Sequence, residues 1–170
     1  MIDIVPLADI DPAAVEALLD RAFEPGRKAR TAYKVRGDAV AIDALSFAAV
    51  DDGALVGSIQ CWPIALAGDD GITYPLVMLG PVAVEPDRQD EGIGRLLVEA
   101  SLAAADAGCG GEAVMLIGDP EYYGRFFGFT ANATGGWRLP GPFEARRLLA
   151  RGNAVPAGSG LLSTRRLVDA

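Results

Sequence analysis

The 170-residue chain contains no histidine. That absence excludes Ser-His-Asp triads, imidazole general bases and histidine-ligated metals, so proton transfer has to fall to carboxylates, Tyr, Cys, Lys, the backbone or water. Cysteine is scarce as well: Cys61 and Cys109 stand far apart with no paired spacing. They suit neither a disulfide framework nor a zinc site, and read as small core-filling thiols in a reducing compartment. Basic residues are outnumbered, 15 against 23 acidic ones, for a net charge of −8. General nucleic-acid binding is thereby disfavoured, because it depends on Lys and Arg neutralising phosphates. The same acidity suits a cationic substrate, although it also serves simply to keep a protein soluble. No apolar run reaches the roughly 20 residues that cross a membrane, and Met1-Ile2-Asp3-Ile4 lacks the basic start and long apolar stretch of a secretory signal. The expectation is a soluble cytoplasmic protein, with no membrane or nucleic-acid partner, forming a single domain over residues 1–170.

The pattern that is present alternates strands and helices. Ile2 to Val5 predicts a first strand. Asp11 as N-cap, Pro12 at the first helical position and Ile10 placed to staple onto Val15 predict a helix, whose apolar face is Val15, Leu18, Leu19, Ala22 and Phe23. Arg27 to Ala44 is polar and poorly periodic, and reads as a loop with some helix. Ser46–Val50 and Leu55–Leu66 read as strands joined by an Asp51-Asp52-Gly53 hairpin turn, with Pro63 hinting at an edge or bulge. After a turn at Gly68-Asp69-Asp70-Gly71, Tyr74–Val84 is the most apolar strand candidate. Gly80-Pro81 lies inside it and implies a bulge or splay, since Pro donates no ladder hydrogen bond. A helix to about Ala107 follows, with an apolar face of Ile93, Leu96, Leu97, Ala100, Ala103, Ala104 and Ala107; then come a strand at Ala113–Ile117 and a helix opened by Asp119-Pro120. Further strands are expected near Trp137, Leu148 and Leu161–Leu167. The order gives a mixed α/β sandwich, with the strands ending at Val84 and Ile117 parallel across a right-handed crossover.

Between the strand ending at Val84 and the next helix lies Gln89-Asp90-Glu91-Gly92-Ile93-Gly94. Two glycines let backbone approach a ligand closely and adopt positive φ. A helix starting there directs unsatisfied N–H groups and the positive end of its dipole outward, a combination suited to an anion such as a pyrophosphate. Arg88 and Arg95 are placed to add charge. The segment is not the dinucleotide fingerprint, because Leu97 stands where its third glycine would be, and no Gly-Lys-Ser/Thr of a P-loop occurs.

Leu79-Gly80-Pro81-Val82-Ala83-Val84-Glu85-Pro86 followed by Gln89-x-x-Gly92-x-Gly94 resembles the core motif of the GNAT N-acetyltransferase superfamily, Gln/Arg-x-x-Gly-x-Gly/Ala between an apolar strand and a helix. Gly118-Asp119-Pro120-Glu121-Tyr122-Tyr123-Gly124-Arg125-Phe126-Phe127-Gly128-Phe129 is similar to the downstream Tyr…Gly-Phe motif of that family. The resemblance spans roughly residues 1 to 135, its motifs 79 to 129. It implies a GNAT-like central mixed β-sheet, splayed at the strand ending near Val84, with helices on both faces. It also implies acetyl-CoA as cosubstrate and no metal. Acyl-CoA would lie between the strands ending at Val84 and Ile117, with Val82, Ala83 and Val84 offering a backbone edge to pantetheine. The amides of Asp90, Glu91, Gly92, Ile93, Gly94 and Arg95, after Gln89, would hold the pyrophosphate.

The implied reaction is direct attack of a neutral primary amine on the thioester in a ternary complex. Backbone N–H groups would stabilise the oxyanion, and a Tyr hydroxyl would protonate the departing thiolate. In the family pattern that Tyr stands four residues before the Gly of Gly-Phe; here that count reaches Gly124, so the chain carries one extra residue, and Tyr123 is the nearest match with Tyr122 in reserve. No base is assigned: Asp119 is accounted for as an N-cap, and Glu85 reads as loop surface. The resemblance places the acceptor along Arg27–Arg36 and the stretch after Trp137. The basic cluster Arg27, Lys28, Arg30, Lys34 and Arg36 reads as a solvated loop face, or as help with an acidic acceptor or the CoA 3′-phosphate. Small-molecule and peptide amines both stay open as acceptors, as does a homodimer. The competing reading is a non-catalytic acyl-CoA-binding sensor of the same fold.

Overall fold

The computed structural model describes residues 1–108 and 110–165. Cys109 and the expected last strand residues beyond 165 lie outside the described residues. The backbone falls into two compact units, one formed by residues 1–27, 41–61 and 79–108, the other by 28–40, 62–78 and the remainder of the chain.

The first unit begins with β1 (Ile2–Pro6) and α1 (Pro12–Ala22). The Asp11 carboxylate accepts a hydrogen bond from the Ala13 N–H at 3.0 Å, satisfying one of the donors a helix start leaves open. Ile10 and Val15 meet in one apolar cluster with Leu7, Leu18, Leu19, Ala48 and Ala83, as the staple and the helical spacing predict. β1 pairs antiparallel with β2 (Phe47–Asp51), which pairs antiparallel with the first part of β3 (Ala54–Gly68). Asp52 (φ 49°) and Gly53 (φ 81°) fill the two left-handed positions of the predicted hairpin turn. The last part of β4 (Thr73–Val84) leads into α3 (Ile93–Ala107).

Alternation along β3 assigns the helices to faces. A Cβ added at Gly57 would come within 2.9 Å of Ile93 Cγ2 and 3.0 Å of Leu97 Cδ1, so the missing side chain lets α3 lie close on that face. Ser58, one residue on, pairs with Ala48, whose side chain belongs to the α1 cluster. α1 and α3 therefore cover opposite faces.

Two expectations fail here. The buried face of α3 is Ile93, Leu97, Val98, Ser101, Leu102 and Ala105, whereas Leu96, Ala103 and Ala107 are exposed. Alanine is nearly indifferent to exposure and misdirects a periodicity reading, and buried Ser101 is admitted because its hydroxyl donates to the Leu45 carbonyl at 2.8 Å. Arg27 is not on a solvated loop either: it is buried, with its guanidinium on Glu16 and Asp20 of α1. A buried charge is tolerable because it is paired and hydrogen-bonded. Cys61 is a core thiol as expected, and burial pushes its pKa up to about 12.

The second unit contains α2 (Thr31–Arg36), β5 (Val114–Ile117), α4 (Pro120–Phe127), β6 (Trp137–Arg138), β7 (Leu148–Arg151) and β8 (Gly160–Thr164). α2 is the helical part of the predicted loop. Its Arg36 is a second departure from the solvated basic face, with the guanidinium carbon 3.8 Å from the Tyr33 ring centroid and 3.9 Å from that of Trp62. β5 pairs parallel with β4 and antiparallel with β7, and β8 pairs with β3 and β6. Pro63 falls between the β3 residues in register with β2 and those in register with β8, at the end of the β8 pairing, where its carbonyl accepts from the Arg165 N–H at 3.1 Å. The hydrogen-bonded order is β1-β2-β3-β4-β5-β7, a mixed and mostly antiparallel sheet. No helix among the described residues is long and apolar enough to cross a membrane.

Candidate active site

The β4–β5 register comprises Val77↔Val114 and Met78↔Met115, and so ends two residues before Gly80. Gly80 has φ +117°, a conformation that favours glycine, and the Gly80–Pro81 peptide is cis. The interruption expected at Gly80-Pro81 is thus present.

Beyond it, Ala83 turns its side chain into the core, while Val82 and Val84 are half-buried. The chain then makes a short 3₁₀ segment, Pro86–Glu91, and enters α3 through Gly92 in the left-handed conformation (φ 77°, ψ 13°). No side chain caps α3. Its first N–H groups have no acceptor within the helix and stand at the positive end of 15 aligned residues. Gln89, Asp90, Glu91, Gly92 and Arg95 are exposed, Gly94 is half-buried, and Ile93 is buried, so Ile93 offers only its backbone.

The two glycines differ in what the fold asks of them. At Gly92 the positive φ demands glycine although nothing lies within 4 Å of a Cβ. At Gly94 φ makes no such demand, and a Cβ would make ordinary contacts, 3.7 Å from Val84 Cγ2 and 3.8 Å from Val82 Cγ1. The same two distances bring Val82, Val84 and Gly94 together at one place.

Two ion-pair clamps hold the segment. Glu85, which the sequence suggests is loop surface, instead accepts from Arg21 Nε and Nη2 of α1 at 2.7 and 2.9 Å. Arg88 donates to both carboxylate oxygens of Glu91 (2.9 and 2.7 Å) and to Asp51 at 2.8 Å, so it serves the loop before any ligand; Arg95 lies 3.1 Å from Glu99. Hydrogen bonding to Arg21 holds the Glu85 carboxyl below its ordinary pKa, and hydrogen bonding to Arg88 does the same for Glu91. Folding lowers both values, so the clamps are complete above about pH 4.5 and are lost as pH falls through the lowered values. Amide hydrogen exchange in residues 86–92, corrected for intrinsic rate, should accordingly quicken on acidification below pH 4.

In the second unit, Asp119 caps α4 by accepting from the Glu121 N–H at 3.1 Å. The helix closes at Gly128 (φ 75°), whose N–H reaches the carbonyls of Gly124 and Tyr123, and the Phe129 N–H also reaches the Tyr123 carbonyl. An ordinary left-handed closure runs from the residue after the glycine to a carbonyl five back; here it runs six back, so this last turn takes up one additional residue. The Tyr123 ring packs edge-on against Tyr122 (centroids 5.0 Å apart) and the buried Phe129 (6.1 Å). Burial, then the neighbouring Tyr122 and Asp119, push its pKa up to about 12. Its hydroxyl has no hydrogen-bond partner among the described residues. Tyr122 is also half-buried, against Tyr123, Phe126 and Phe127.

The Arg21–Glu85 clamp has no sequence signal, since 64 residues separate its partners. A cavity of about 220 Å³ in the first unit, lined among others by Leu7, Ile10, Val15, Glu16, Asp43 and Gln60, includes no residue of the Gln89–Arg95 segment.

β4 is thus followed by a glycine-bearing entry and by a helix whose N-terminus has no side-chain cap, within a mixed α/β fold. The sequence pattern of the acetyltransferase (GNAT) family matches residues 13–129, and the chain belongs to that family. It is similar to the GNAT-family N-acetyltransferase YhbS of Escherichia coli, solved with CoA, at 26% identity and a TM-score of 0.71, over 97% of this chain and 89% of that one. A GNAT-family acetyltransferase of Brucella melitensis, solved with acetyl-CoA, is 25% identical with a TM-score of 0.66, over 97% and 96%. An N-acyltransferase-like protein of Enterococcus faecalis, 18% identical with a TM-score of 0.58, shares the fold. No curated protein matches the chain.

Proposed function

We propose that the protein transfers acetyl from acetyl-CoA to a primary amine by direct attack in a ternary complex. The observation that carries this reading is Gly94: neither backbone conformation nor packing calls for a glycine there, and a pyrophosphate brought against the α3 N-terminus does. The CoA and acetyl-CoA bound by the two similar structures support the same cosubstrate.

In this reading the amides from Asp90 to Arg95, following Gln89, hold the pyrophosphate, and the Val82–Val84 backbone pairs with the pantetheine amides as an added strand. The amine nitrogen attacks the thioester carbonyl, and the resulting oxyanion is met by backbone N–H groups. The C–N bond forms as the C–S bond breaks; the nitrogen gives up a proton to water, the Tyr123 hydroxyl donates one to the departing sulfur, and the phenolate recovers a proton from water to close the cycle. A hydroxyl with no hydrogen-bond partner among the described residues, on a largely packed ring, suits that donor.

Calorimetric titration with acetyl-CoA, paired with a thiol-release assay over a panel of small-molecule and peptide amines, tests the proposal. Saturable binding together with amine-dependent CoA release is expected. Binding without release from any amine would favour a sensor, and absence of binding at millimolar acetyl-CoA would sink the proposal.

A further inference from the structure

We propose that Gly118 is a positioning residue for Tyr123: by carrying no side chain it forms the slot in which the Tyr123 ring lies, and so fixes where the hydroxyl is presented. The inference rests on the reading of Tyr123 as the proton donor. Gly118 stands between Ile117, the end of β5, and Asp119, the N-cap of α4. A Cβ at this position would lie 2.7 Å from Tyr123 Cε2 and 3.0 Å from Tyr123 Cδ2, with Leu116 Cδ1 also at 3.0 Å. Carbon atoms at rest stand about 3.5–4.0 Å apart, so something must move. The backbone does not itself need glycine there, because Gly118 is not among the positive-φ residues. The requirement is one of space.

Both sides of the contact are pinned. The Gly118 N–H donates to the Arg147 carbonyl at 2.9 Å, and the Tyr123 N–H donates to the Asp119 carbonyl at 2.9 Å. Retreat of the backbone would break one of these bonds, and Tyr122 and the buried Phe129 occupy other sides of the ring. The ring itself yields, and its hydroxyl with it. A displacement on the order of 1 Å in a reacting group costs about 100-fold in rate.

The test compares the wild type, Gly118→Ala, Tyr123→Phe and the double variant. Gly118→Ala should lower kcat at least about ten-fold while the KM for acetyl-CoA stays within about three-fold, a split that follows from losing geometry in the transition state alone. In the Tyr123→Phe background the same substitution should cost less than about two-fold, because the hydroxyl it would misplace is gone. Stability separates packing from chemistry. Phe keeps the ring carbons that meet the new methyl, so Gly118→Ala should lower Tm equally with and without Tyr123→Phe; Tyr123→Leu removes those carbons and should relieve most of that decrement, leaving only the part due to Leu116 Cδ1. Multiplicative losses in kcat would overturn the positioning role, as would a Tm decrement that Tyr123→Leu leaves undiminished. If Tyr123→Phe alone leaves turnover unchanged, the donor reading falls, and the Tm comparison still decides whether Gly118 seats the ring.

Discussion

Replacing Gly94 by valine is expected to weaken acetyl-CoA binding by roughly 100-fold, about 2.8 kcal/mol, while in Gly94→Ala Tm holds steady or rises. The two effects have opposite origins. A Cβ at this position meets Val84 and Val82 only at ordinary contact distance, so the fold accepts it. Glycine is also the poorer helix former, and Gly94→Ala should gain about 0.5 kcal/mol from that alone. A ligand held by the first amides of α3 has no such tolerance, since each added carbon occupies the space its phosphates need. Gly92 is the control. There the constraint is the left-handed conformation, and Gly92→Ala should cost about 1–2 kcal/mol of stability before any effect on ligand is considered. Titration calorimetry and thermal melts on the same preparations check both. Wild-type affinity in Gly94→Val would remove the cradle from this segment.

Removing the Tyr123 hydroxyl should lower turnover ten-fold or more without comparable loss of acetyl-CoA affinity. Tyr123→Phe keeps the ring that packs on Tyr122 and Phe129, so the fold persists and the missing O–H is the variable. Burial raises the pKa to about 12, and the phenol therefore stays protonated from neutral pH to above pH 9. The deficit of the variant should be the same at pH 7 and pH 9, because the wild type has its proton to give at both. Ionisation works the other way for stability: with the folded value above the unfolded one, the contribution is complete below about pH 10 and lost as pH rises toward 12. An unchanged turnover in Tyr123→Phe would take Tyr123 out of the mechanism, and Tyr122→Phe would then be the variant to measure.

Much of this site is legible before any coordinates. Asp11 and Asp119 cap helices as their Asp-Pro spacing announces, and the Asp51-Asp52-Gly53 turn takes the left-handed conformations that its residue types favour. Gly92 and Gly94 stand at the entry of α3, where a glycine-bearing segment before an apolar face belongs. These features are local, fixed by hydrogen bonds and dihedral preferences within a few residues. The α3 face is where locality misleads, because alanine carries little hydrophobic signal and the sheet decides which side it meets.

The sequence by itself determined the class of fold, the family and the place of the glycine-bearing segment, because each depends on short-range grammar: periodicity, caps and the absence of Cβ atoms. The absence of histidine likewise narrowed the proton donors to those that include Tyr123. Only the tertiary structure decided that Arg88 and Glu85 are spent on clamping the segment before α3, that Arg27 is buried against α1, and that Gly118 makes room for a ring five residues away. Those outcomes depend on which side chains meet after the chain has turned back on itself, and no local rule encodes a distance between residues 21 and 85.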